Sequence, residues 1–102
     1  MDNKKNFVVE MTLKAVPPET YQLLGRAEVE YTQQQVACGK LTQLLVTEDH
    51  RRYWMVFSVS TEQELSSVLE GFPLYQFFDY KYHQVMDMVA ASAAGLTDPN
   101  LN

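Results

Sequence analysis

Residues 6–13, NFVVEMTL, place Phe7, Val9, Met11 and Leu13 on one face and Val8, Glu10 and Thr12 on the other. A two-residue period is that of a half-buried strand, because successive side chains of extended backbone leave opposite faces. From Pro17 the period changes. Proline suits the first helical turn and an acid suits the positive end of the helix dipole, so Pro17-Pro18-Glu19 predicts a helix start. Gly39 predicts its left-handed stop. Turned at about 100° per residue, Tyr21, Leu24, Ala27, Glu28, Tyr31, Gln35 and Cys38 fall on one side. Glu28 thus lies in the stripe expected to face the sheet, while Val29 and Val36 form a smaller second stripe.

Residues 41–47 and 52–59 predict two strands joined as a hairpin through Glu48-Asp49-His50. The second carries Trp54 and Val56 on one face and Tyr53, Met55, Phe57 and Val59 on the other, so neither face suits water. Thr61 with Glu64 three residues on forms a capping box, and Leu65, Val68 and Leu69 continue at helical spacing to a stop at Gly71. After GFPLY, the alternation in FFDYKYH, residues 77–83, predicts a fourth strand. The segment HQVMDMVAASAAG predicts a short third helix, with Val85, Met86, Met88 and Val89 as its apolar positions. At that length it needs its own domain or a neighbour to be stable.

The order strand, helix, strand, strand, helix, strand predicts an α+β, ferredoxin-like βαββαβ domain with a four-stranded antiparallel sheet and a C-terminal helix. A single domain over residues 1–95 is expected, followed by a flexible tail at 96–102. Both helices of this arrangement cover one sheet face. The other face is also apolar, which predicts pairing with a second copy, as a homodimer of the dimeric α/β-barrel type or a larger ring.

Charge and composition narrow the partners. The 102-residue chain has a formal net charge of −5, and its only basic cluster is Arg51-Arg52, which argues against nucleic acid. No apolar run approaches the ~20 residues of a membrane span, and the N-terminal apolar run is too short for a secretion signal, so a cytoplasmic location and no membrane partner are expected. The single cysteine, Cys38, allows no intramolecular disulfide and has no metal-ligand spacing with His50 or His83. It is expected to pack as a small apolar residue, and His50 to sit exposed in its turn.

The order and spacing of several short motifs carry a resemblance. They are FVVEMTL at 7–13, PPE at 17–19, Glu28, Cys38-Gly39-Lys40, Phe57-Ser58-Val59, ELSSVLEGFPLY at 64–75 and Asp79. Over residues 7–83 the chain resembles the muconolactone isomerase family, small ferredoxin-like proteins that assemble into dimers and larger rings. The resemblance implies an enzyme that moves a double bond within a five-membered unsaturated lactone by removing and returning a proton, with no metal or organic cofactor. That chemistry requires a base of suitable pKa, a group to hold the dienolate oxygen and a pocket that excludes water.

Glu28 is the candidate catalytic base. A carboxylate on an apolar helix face is partly desolvated, which raises its pKa toward working pH. The alternative is that it reaches the domain edge and pairs with a lysine or a strand backbone group. Tyr31, Tyr53, Arg52 and Asp79 are the candidate residues for binding a small-molecule substrate. Where the family pattern has a lysine, Val29 follows Glu28; where it has tryptophan and arginine, Leu45-Val46 follow Leu44; and Tyr53 replaces an asparagine. Arg51 and Arg52 are the cations near that region. These replacements keep open a second reading, a non-catalytic member of the fold that binds a small ligand or another protein. Glu10, Asp79, Lys81 and His83 are expected to form a cross-strand ion-pair ladder, the alternative being a polar patch in a cleft between sheets.

Overall fold

The computed structural model describes residues 3–93. The elements run β1 (Lys5–Leu13), α1 (Pro18–Ala37), β2 (Leu41–Val46), β3 (Arg52–Val59), α2 (Glu62–Glu70), a 3-10 turn (Tyr75–Phe77), β4 (Phe78–Val85) and α3 (Met88–Ala93). The strands form one antiparallel sheet in the order β2-β3-β1-β4. This is the expected α+β, ferredoxin-like arrangement, with both crossover helices on one face. The expected domain end at residue 95 and the tail at 96–102 lie outside the described residues.

Register follows from burial. Phe7, Val9 and Met11 of β1 stand opposite Phe57, Met55 and Tyr53 of β3, and shifting either strand by one residue would turn these side chains away from the helices. They meet Leu65, Val68 and Leu69 of α2, together with Phe72 and Leu41, in one core. Fully burying side chains such as Phe57 and Leu65 stabilises the fold by about 1.5–3 kcal/mol each. Thr61 caps α2 as expected, while Glu64 reaches back to Ser60 N rather than to the Thr61 N–H of a full capping box. Thr61 Oγ1 accepts from Glu64 N at 3.0 Å, and Glu64 Oε1 accepts from Ser60 N at 2.9 Å.

Helix α1 behaves differently from its predicted stripe. Pro18 begins it and Gly39, at φ 84°, follows its end as expected, yet none of its residues is fully buried. Leu24, Glu28, Tyr31 and Gln35 are half-buried, whereas Tyr21, Ala27 and Cys38 are exposed. Cys38 is therefore not a packed residue; it forms the helix C-cap, and its Sγ lies 3.5 Å from Gln35 O. The space that α1 does not fill remains as a cavity between α1 and the sheet.

The C-terminal region also departs from expectation. Phe77 belongs to the 3-10 turn rather than the strand, and β4 continues to Val85 because its backbone pairs with β1 as far as Asn6. Ladder hydrogen bonds over that length outweigh local helix propensity. The helix starts only after Asp87, whose Oδ1 accepts from Val89 N and Ala90 N, each at 3.0 Å. Met86, Met88 and Val89 are 71%, 55% and 80% exposed, so they do not pack on their own domain.

Candidate functional site

The cavity between α1 and the sheet has a volume of about 360 Å³. Its walls come from Met11 and Leu13 of β1, Leu44 and Val46 of β2, Tyr53 and Met55 of β3, and Phe72, Leu74 and Phe78 of the α2–β4 crossing. The fourth side is α1, which presents Tyr21, Gly25, Glu28, Val29, Thr32 and Gln33. Phe72 and Phe78 meet edge to face at 6.4 Å, and Phe78 meets Tyr53 in the same way at 6.3 Å. These edge-to-face contacts fix the cavity floor.

Glu28 is the carboxylate in this wall. It is half-buried, and its Oε1 accepts from Leu74 N at 2.9 Å. The bond has a local cause. Along the crossing, Gly71 N, Phe72 N, Tyr75 N and Phe77 N reach Val68 O, Leu69 O, Phe72 O and Leu74 O, and Pro73 has no N–H, which leaves Leu74 N to a side chain. Burial raises the pKa of Glu28, and the Leu74 amide opposes that shift in part. Among the described residues only one carboxylate oxygen is engaged in this way, so the other remains to take a proton.

Tyr53 joins Glu28 in the cavity wall, and burial raises its hydroxyl pKa, so the phenol stays neutral. Its hydroxyl donates to His50 O at 2.9 Å, and Thr32 donates to Glu28 O at 2.9 Å. The other side-chain donors around the cavity are Tyr21, Gln33 and His50.

The remaining candidates lie elsewhere. Tyr31 is wedged against α2, with its hydroxyl 2.6 Å from Val68 O and its ring edge to face with Phe72 at 4.7 Å. Arg52 and Asp79 stand on the opposite sheet face. The Arg52 guanidinium lies 5.2 Å from the Trp54 ring centre, and Asp79 faces Lys14 Nζ at 3.5 Å. On that same face Trp54 Nε1 donates to Glu10 Oε1 at 3.2 Å, and Lys81 Nζ lies 3.5 Å from Glu10 Oε2. The Trp54 bond, then Lys81 and Arg52, hold the Glu10 carboxyl below its ordinary range. Glu10 and Lys81 thus pair across strands, but the four-residue ladder does not form: Asp79 pairs with Lys14 instead, and among the described residues no ion pair reaches the exposed His83.

Two contributors were not among the candidate site residues. Leu74 acts through its backbone, for which the only signal was a proline-containing crossing with an amide left over. His50 is exposed as expected, but it also stands at the cavity rim. Its φ of 60° is held by the turn in which Asp49 Oδ1 accepts from Thr47 Oγ1 at 2.6 Å and Arg51 N at 3.0 Å. Among the described residues no group of three His, Cys, Asp or Glu side chains is placed to hold a metal ion. No described helix is long and apolar enough to cross a membrane.

A ferredoxin-like sheet with a half-buried glutamate facing an apolar cavity places the chain among small α+β proteins of this fold. Within that class, the model of the muconolactone delta-isomerase family matches residues 6–88, and the chain belongs to this family. The solved structure of a muconolactone isomerase is 25% identical, with a TM-score of 0.72 over 80% of this chain and 88% of its own. A mutant of SnoaB, a cofactor-independent oxygenase from Streptomyces nogalater, is 16% identical with a TM-score of 0.43, covering 83% of this chain and 93% of its own. A dimeric ferredoxin-like protein from an uncultured marine organism is 11% identical with a TM-score of 0.44, covering 83% and 91%. Among curated proteins, no sequence matches the chain.

Proposed function

We propose that the protein is a cofactor-independent isomerase that shifts a proton and a double bond in a small lactone or carbonyl compound, with Glu28 as the base. The observation that carries this reading is the free oxygen of a half-buried carboxylate facing an apolar cavity, in a chain of the muconolactone delta-isomerase family. Glu28 takes a proton from the γ-carbon of an α,β-unsaturated compound, the C–H electron pair delocalises into a dienolate, and the same proton returns to the carbon beside the carbonyl. The double bond moves, with no change in overall composition or oxidation state. Tyr21, Gln33 and His50 are the donors available to the dienolate oxygen.

Incubation with unsaturated lactones, followed by ultraviolet absorbance, tests the reading. Glu28→Gln keeps an acceptor for Leu74 N but removes the base, and turnover is expected to fall by about 10²–10⁴-fold. Unchanged turnover in that variant removes Glu28 from the mechanism. Activity is also expected to rise with pH through an apparent pKa above the ordinary glutamate value of 4.5, since only the ionised form accepts a proton.

A second reading is a non-catalytic protein that binds a small ligand or another protein, favoured by Val29, Val46 and Tyr53 lining the cavity where the family resemblance implies lysine, arginine and asparagine. Ligand retention without turnover by the unaltered chain would select it. Under either reading we infer that the molecule associates with itself through the sheet face that its helices leave bare.

A further inference from the structure

The charges around the cavity are unevenly placed. Among the described residues, no lysine or arginine lines it; Glu28 is its one carboxylate, and His50 stands at the rim. The positions flanking the base and closing the sheet side, Val29 and Val46, are apolar. Lys14 and Arg51 line an adjoining groove that shares Leu13, Tyr21 and His50 with the cavity. That groove is not a free anion site, because Asp49 shares it and Lys14 Nζ already lies 3.5 Å from Asp79 Oδ1.

A carboxylate entering this cavity would lose its hydration without gaining a cation, and it would approach an ionised Glu28 across apolar surroundings where like charges repel strongly. An uncharged ring meets neither penalty. The volume of about 360 Å³ falls within the range of pockets that enclose drug-sized ligands, about 300–1,000 Å³, so a ring with an apolar substituent fits better than a bare ring.

Resting on the isomerase reading above, we propose that the substrate is electrically neutral: an unsaturated lactone or related carbonyl compound with an apolar substituent and no carboxylate in the cavity. The muconolactone carboxylate named by the family has no counter-charge here. Selectivity comes from exclusion, since the cavity offers hydrogen-bond donors but no lysine or arginine to offset an anion's lost hydration, and Glu28 repels it.

Two matched probes test this: a phenyl-substituted α,β-unsaturated γ-lactone, and the same compound carrying a carboxylate on the phenyl ring. Binding is read by NMR titration of the protein, and turnover separately by ultraviolet absorbance. The neutral probe is expected to bind at least about tenfold more tightly, with shifts at Met55 and Phe78, and the gap should narrow in Glu28→Gln. Arg51→Ala is expected to leave both affinities unchanged, and Val46→Lys, checked for native circular dichroism, to reverse the preference. Equal or tighter binding of the acid, especially if Arg51→Ala abolishes it, overturns the proposal, as does failure of both probes to bind at millimolar concentration. Binding of the neutral probe without turnover leaves this inference standing and ends the isomerase reading. Turnover with preference for the acid does the reverse.

Discussion

Glu28 is under two opposed influences: loss of water favours its neutral form, and the Leu74 amide favours its carboxylate. Burial wins, so the folded pKa lies above the unfolded one. A carboxyl with a raised folded pKa stabilises the fold when protonated; that contribution is complete below about pH 4.5 and is lost as pH rises through the raised value. Glu28→Gln is neutral at every pH and retains a carbonyl acceptor. It is expected to melt with the unaltered protein at about pH 4 and at a higher temperature at about pH 8, where Glu28 carries its charge. Scanning fluorimetry across that range checks the sign, and a melting gap independent of pH would show that Glu28 is not held in a desolvated site.

At the scale of elements, the contact between α1 and α2 explains a glycine that sequence reads only as a stop signal. Gly71 caps α2 at φ −76°, an ordinary right-handed conformation, so backbone freedom is not the reason for it. A Cβ at that position would run into the Tyr31 ring, whose hydroxyl bonds to Val68 O. Gly71→Ala is therefore expected to cost about 1–3 kcal/mol in urea denaturation, as overpacking does. In a Tyr31→Leu background the penalty should shrink, since the obstructing ring is gone; equal penalties in both backgrounds would rule the contact out. Tyr31 thus ties α1 to α2. Its helical spacing placed it on the inner stripe, but only the crossing of α2 shows that it ends against Gly71 rather than beside a ligand.

At the scale of the whole molecule, the helices protect one sheet face and leave the other, where Trp54 is half-buried beside Leu45, which is 54% exposed. Met86, Met88 and Val89 add apolar surface at the end of β4 and in α3. Exposed apolar area of this extent is normally covered by a partner. Sedimentation velocity at micromolar concentration is expected to give a dimer or larger species. Trp54 is the only tryptophan, so its emission should shift to the red on dilution as the face becomes wet. A concentration-independent monomer with constant emission would mean that this face is tolerated in water.

The chain's periodicities determined the strands, the two principal helices and their order, because side-chain alternation and capping are local properties that survive in any environment. The hairpin turn and the Thr61 cap were legible for that reason, whereas the outer sheet face, expected to be apolar, carries Glu10, Arg52, Asp79 and Lys81 beside Trp54. Also legible was the inward lean of Glu28, which helical spacing alone specifies. What only the tertiary structure decided was the company each side chain keeps. Arg52 and Asp79 were separated from Glu28 by the thickness of the sheet, Cys38 was left at an exposed helix end, and Leu74 N was brought to a carboxylate 46 residues away in sequence. Those outcomes depend on how α1 sits above the sheet, and an amphipathic stripe states which side of a helix turns inward without stating how closely it packs. The incomplete packing of α1 created the cavity, and with it the candidate site.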